Sequence, residues 1–306
     1  MIDYIASKEA REDLIEILKG HVEQKQLDKL KYENLEKINK LYKYSSISCY
    51  TYDNIENNHL VANRPENFND LFDSTIHKNT YSSRMKKLEE QKKYGKMLGY
   101  DNLLENVDYS YIKKNSEKID RYGMTYLRQD LFISCLSETN NNNLMWSHYA
   151  NENKGICIEY DFSDFKKNII MFTYPVIYVD SPIDVIELLE NEKNVELAIL
   201  VSSICKHRDW MYENEWRVIF YIPFSNKNKK SKDILKFNVP DVKKIYLGKK
   251  FENSLNSETK QKDSQTENYK LLLEVIKKKN IELKVAKRQT RSYNIDFEEF
   301  DVDSLK

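Results

Sequence analysis

Glycine is scarce in this chain, with six in 306 residues. Neither GxGxxG nor GxxxxGK[ST] occurs, so little material exists for a loop that cradles phosphate, and Rossmann and P-loop readings are set aside. The four cysteines (Cys49, Cys135, Cys157, Cys205) form no CxxC pair, which excludes a zinc knuckle and a disulfide framework. The five histidines are scattered with no HExxH pair, so a metal centre would need distant carboxylates and none is expected. Lys plus Arg and Asp plus Glu both number 49. No global basic field is present to hold nucleic acid, and the Lys clusters at 227–232 and 277–279 read as solvated surface. No run of about twenty apolar residues occurs and the opening MIDYIASKEAREDL lacks an apolar signal core. The expectation is a soluble, cytoplasmic protein with no membrane partner.

What is present is patterned charge, tyrosine and short apolar runs. Residues 1–40 carry Leu and Ile at helical spacing and predict a helical N-terminal lead. Residues 41–290 predict an α+β domain, with a Lys-, Glu- and Tyr-rich helical insertion over 78–130 and a tail over 291–306. Strands are expected near 42–44, 59–62, 131–136, 155–160, 169–179 (interrupted by Pro175), 234–239, 242–247 and 281–286, with helices near 52–57, 144–150, 183–209 and 269–279. The irregular interleaving does not suit a doubly wound sheet. It predicts a split mixed or antiparallel sheet core.

Two blocks concentrate site-type residues. In LFISCLSETNNNNLMWSHYANENKGICIEYD (131–161), four asparagines and a short helix separate two apolar strands. On that helix Met145, His148 and Tyr149 share a face, with Trp146 one position away. Plain core packing is the competing account of Met145, Trp146 and His148. The second block, WMYENEWRVIFYI (210–222), leads a loop into a strand. On extended chain Glu213, Glu215 and Arg217 lie on one face and Trp216, Val218 and Phe220 on the other. With the Trp216 face as core, Glu215 and Arg217 should look outward into a cleft or solvent. An exposed edge strand with an ordinary ion pair is the alternative. Upstream, NFNDLFD (67–73) sets polar groups around two Phe, a helix cap or a pocket lining.

These strings, with the upstream YKY, resemble the bacterial family labelled domain of unknown function 2971, over roughly residues 41–290. WSHYA and GICIEY are the most specific of them. The order of elements also resembles that of ADP-ribosyltransferase-like domains, although the first strand offers Tyr-Lys-Tyr where many such enzymes place His or Arg. That resemblance implies NAD as the substrate. Glu215 would then stabilise an oxocarbenium-like ribose, and Tyr149, with Trp146, would stack on nicotinamide and exclude water. Lys43 or Tyr44 and Ser137 would donate to ribose or phosphate. Asn69, Asp70, His148 and Arg217 would line the site.

Three functions follow as expectations. The first is an NAD-consuming ADP-ribosyltransferase or glycohydrolase, of toxin or phage-defence type, with a protein or nucleic-acid acceptor. The second is a non-enzymatic module binding nucleic acid or protein through residues 78–130. The third is a metal-dependent nuclease or hydrolase using Glu159, Asp161, Glu213 and Glu215.

Overall fold

The strand Leu131–Ser137, buried on both faces, organises the rest of the molecule. The computed structural model describes residues 40–75, 131–161, 173–180, 195–222, 234–251 and 264–301, with scattered positions between 85 and 116. The expected lead before residue 40 and most of the 78–130 insertion lie outside the described residues. Of the insertion's described residues, 85–86, 88–90, 92–93, 109–114 and 116 are helical and 108 is not.

The elements in chain order are β1 (Lys40–Ser45), α1 (Cys49–Glu56), β2 (His59–Asn63), β3 (Leu131–Ser137), α2 (Asn143–Tyr149), β4 (Ile156–Asp161), β5 (Thr173–Pro175), β6 (Ile177–Val179), α3 (Val195–Ile204), β7 (Cys205–His207), β8 (Glu215–Tyr221), β9 (Ile234–Asn238), β10 (Lys244–Leu247), α4 (Ser264–Lys279), β11 (Glu282–Arg288) and β12 (Ile295–Glu299). A ten-stranded sheet runs β12-β11-β10-β4-β1-β3-β2-β9, with β8 on β3 and β5 on β8. Its pairs are antiparallel except β10 with β11. β6 and β7 form a separate parallel pair. The fold is thus α+β around a mostly antiparallel core.

β3 pairs β8 along its whole length, from Leu131 opposite Tyr221 to Ser137 opposite Glu215. It also meets β1 at Ser137 and β2 at Ile133. This fork splits the sheet. Period-2 alternation then sorts side chains between cores. Phe132, Leu136, Trp216 and Val218 join a large cluster with Tyr269, Leu272 and Ile276 of α4 and Ile55 of α1. Leu131, Ile133 and Ile219 point the other way, to Ala198, Ile199 and Ile204 of α3. A third cluster seats Met145 and Trp146 of α2 against Tyr44, Cys157 and Tyr246.

Two expectations need correction. The helix expected to run to Asp209 stops at Ile204, because Cys205–His207 pairs with Ile177–Val179. The interruption expected at Pro175 is present, since β5 ends there and β6 begins at Ile177. The expected C-terminal tail contains β12, an antiparallel partner of β11. Among the described residues no helix is long and apolar enough to cross a membrane.

Candidate functional site

Glu215 and Arg217 do not face solvent. Their face of β8 is roofed by α3, β7 and the loop after β2, so Glu215 is 3% exposed and Arg217 fully buried. Charge enclosed this way must be paired. Arg217 Nη1 and Nη2 donate to the two oxygens of Asp73 at 2.7 and 2.6 Å, while Nε and Nη2 donate to Glu215 at 2.9 and 3.0 Å. The Ser203 carbonyl accepts from Nη1 at 2.7 Å. Lys206 Nζ lies 2.5 Å from Glu213, 3.1 Å from Glu215 and 3.6 Å from Asp73, with the Trp210 ring 4.8 Å away. Three carboxylates and two cations therefore share one buried network.

The network opens outward through Tyr149. Its hydroxyl donates to Glu213 Oε1 and accepts from the exposed Asn69 amide at 3.0 Å. Tyr149 is held in place by α2, whose N-cap Asn142 accepts from the amides of Leu144 and Met145 at 2.9 and 3.2 Å. The Asn142 side-chain amide also donates to the Tyr212 carbonyl at 2.8 Å, tying α2 to the 3-10 turn Arg208–Glu213. Asn214 then takes a left-handed φ of 43°, which Asn tolerates, and turns the chain into β8 with Glu213 and Glu215 both on Lys206. Beside Tyr149, exposed His148 meets the Tyr212 hydroxyl at 3.0 Å.

The carboxylates are driven apart in acidity. Burial, and then the neighbouring Glu215 charge, push Glu213 up to about 7. Burial works against Glu215 as well, but Arg217 and Lys206 outweigh it and hold that carboxyl well below the usual range. Burial and then Glu213 push the Tyr149 phenol up, so it stays a donor. The Lys206 ammonium survives burial because Glu215, Glu213 and Asp73 surround it.

A pH prediction follows. Folded Glu213 holds a proton between about pH 4.5 and 7 that the unfolded chain releases, so its contribution to stability falls as pH rises through that window. Glu215 has the opposite sign: its contribution is present above about pH 4.5 and is lost in acid. Urea midpoints should therefore drop from pH 5 to pH 8 in the wild type, and Glu213→Gln should flatten that drop. An undiminished drop in the variant would refute the assignment.

The structure sorts the expected site residues into two groups. Glu215, Tyr149 and Asn69 come together, with His148 at the rim. Tyr44, Ser137, Trp146 and Arg217 are framework instead of ligand-facing groups, because their donors are spent internally. Tyr44 donates to the Thr139 carbonyl at 2.9 Å, Ser137 to the Glu213 carbonyl at 2.7 Å, and Trp146 to the Asn140 carbonyl at 2.6 Å from a fully buried ring. Lys43 donates to the Cys135 carbonyl at 2.7 Å, and buried Asp70 accepts from the Phe72 amide at 2.9 Å. Asp73 and Lys206 were not foreseen. Asp73 sits in the NFNDLFD string already singled out; Lys206 lies in the last residues of the stretch expected to be helical over 183–209.

Glu159, offered for metal chemistry, belongs elsewhere: it accepts from Tyr246 at 2.6 Å and pairs Lys40 at 2.8 Å. Among the described residues no group of three or more His, Cys, Asp or Glu is arranged to hold a metal ion. Burial also pushes the Cys135 thiol well up and that of Cys205 to about 12, so neither is a ready nucleophile.

Tyr149, Lys206, Glu213, Glu215 and Arg217 all fall within one stretch that has relatives. Residues 145–218 match the family described as Protein of unknown function (DUF2971). The DUF2971 match begins in α2 and ends in β8, so it holds most of the ionic network and leaves out Asn69 and Asp73. No curated protein and no solved structure matches the chain.

Proposed function

We propose that this chain cleaves the bond between nicotinamide and ribose in NAD, as an ADP-ribosyltransferase-like or NAD glycohydrolase-like protein. The observation that carries this reading is the pair Glu213 and Glu215, which share Lys206 yet differ in acidity, one near neutrality and one ionised. Paired carboxylates tuned apart suit glycosidic chemistry. As the C1′–N bond breaks, its electron pair leaves with neutral nicotinamide and positive charge develops on the ribose. Ionised Glu215 supplies fixed negative charge to offset it. A water or an acceptor hydroxyl then bonds to C1′, and the unprotonated fraction of Glu213 takes the released proton. Half-buried Tyr149, with Asn69, would meet the substrate first. Transfer to a protein or nucleic acid would make the chain an effector of toxin or phage-defence kind.

The order of elements supports the same reading by analogy: a forked antiparallel sheet, a Tyr-bearing helix after the middle strand, and a Glu at the start of β8. Fold alone does not assign chemistry. The test is nicotinamide release from NAD, followed chromatographically. Glu215→Gln should abolish it. Because Glu215 also balances buried charge, Glu213→Gln and Tyr149→Phe are the decisive companions, checked for a native melting curve. Glu213→Gln is expected to lose about 100-fold or more, and Tyr149→Phe about tenfold. No release by folded wild type, or unchanged release in Glu213→Gln, would reject this function.

A further inference from the structure

α2 has a second functional end. Its last residue, Tyr149, reaches the carboxylates, while its first, Asn143, lines a cavity of about 200 Å³ bounded by Asn153, the loop after β10 and the β11–β12 hairpin. The cavity and the carboxylate network lie at opposite ends of the helix, about 9 Å apart along its axis.

Three cations line this cavity: Lys249, Lys287 and Arg288. Lys287 is committed to Glu298. Lys249 and Arg288 form no ion pair among the described residues. Asn143, Asn153, Asn294 and Ser292 add neutral donors, and the Tyr293 ring, 92% exposed, stands at the rim.

Backbone bonds hold the wall in shape. The Lys250 amide donates to the Asn153 carbonyl and the Gly248 amide to that of Gly155, both at 2.9 Å, which plants Lys249 beside Asn153. A Cβ on Gly248 would lie 2.3 Å from the Asn153 oxygen, so the approach requires glycine there. Asn143 donates to the Tyr293 carbonyl and fixes the hairpin tip. Asn151, Glu152 and Asn153 run consecutively at φ 46°, 55° and 71°, conformations that L residues adopt at a cost and that cluster at ligand sites.

We infer that this cavity binds a nucleoside 5′-monophosphate or a ligand of that chemistry. The Arg288 fork and the Lys249 ammonium take the phosphate oxygens, and the Tyr293 ring stacks on the base at the open rim. The cavity is below the roughly 300–1,000 Å³ of drug-sized pockets, which suits a phosphate and sugar inside with the base outside. This inference is independent of the reaction proposed at the carboxylates.

Calorimetric titration with AMP, adenosine and inorganic phosphate tests it. AMP should bind, inorganic phosphate should compete with it, and adenosine should bind at least about tenfold more weakly. Lys249→Ala with Arg288→Ala should weaken AMP about tenfold or more without shifting the melting temperature, since both side chains are exposed. Tyr149→Phe should leave AMP affinity unchanged, which separates this site from the carboxylates. Absent AMP binding, equal affinity for adenosine, no competition by phosphate, an unaffected double variant, or loss of affinity in Tyr149→Phe would each overturn the assignment.

Discussion

Arg217→Met should strip the protein of a large share of its stability. The arginine is fully buried and satisfies Asp73, Glu215 and the Ser203 carbonyl at once. Methionine fills much of the volume but leaves two carboxylates facing Lys206 alone. Breaking a buried ion pair by removing one partner costs about 3–5 kcal/mol, against a total stability of roughly 5–15 kcal/mol for a domain. Arg217→Lys should rescue little, because an ammonium cannot reproduce the two-pronged contacts. The triple change Asp73→Asn, Glu215→Gln, Arg217→Met removes the stranded charges together and should recover much of the loss. Urea denaturation reads all three. A midpoint for Arg217→Met within about 1 kcal/mol of wild type would mean that the network does not support the fold.

Gly155→Val is the second large effect, and its cause is steric. A Cβ at Gly155 would sit 2.3 Å from the Ser45 carbonyl oxygen and 2.9 Å from that of Ala150. Both obstacles are backbone, so no rotamer change relieves them. The Gly155 amide donates to Ala150 at 2.8 Å and its carbonyl accepts from Gly248 at 2.9 Å, and Ser45 faces Ile156 across the β1–β4 pair. Relief therefore requires β1 and β4 to part. A loss of about 3 kcal/mol or more is expected, read as a lower melting temperature or insoluble product. Glu152→Gly three residues earlier should go the other way by up to about 1 kcal/mol, because it relieves the left-handed φ of 55° at an exposed position. Equal melting temperatures for Gly155→Val and wild type would show that the strands yield easily.

Much of the sheet was legible because its strands feed apolar cores. β3 and β4 carry near-continuous apolar runs, and the structure buries them on both faces. α2 was legible from its Asn run and the Leu-Met-Trp that follows, which become an N-cap and a core anchor. The same helix also shows the limit of local pattern. Periodicity placed Tyr149 and Trp146 on different faces but could not say which face was covered, and Trp146 turned out to be the anchor. Cys205-Lys206-His207 misled for a related reason: its strand character comes from pairing with Ile177–Val179, 28 positions upstream. β12 falls in the stretch expected to be a tail, and its strand character comes from pairing with β11. In the site, Glu215 and Tyr149 stood out as residue types in context. Asp73 and Lys206 acquire their roles only from groups brought in by the tertiary fold.

The reach of the Asp73–Arg217 contact, 144 positions along the chain, has a consequence for the timing of assembly. At a synthesis rate of about 5–20 residues per second, about 7 to 29 seconds pass between the two residues during translation. Throughout that interval a nascent chain holds Asp73, and later Lys206, without the guanidinium that joins them. The carboxylate centre is thus absent from any partial product ending before β8.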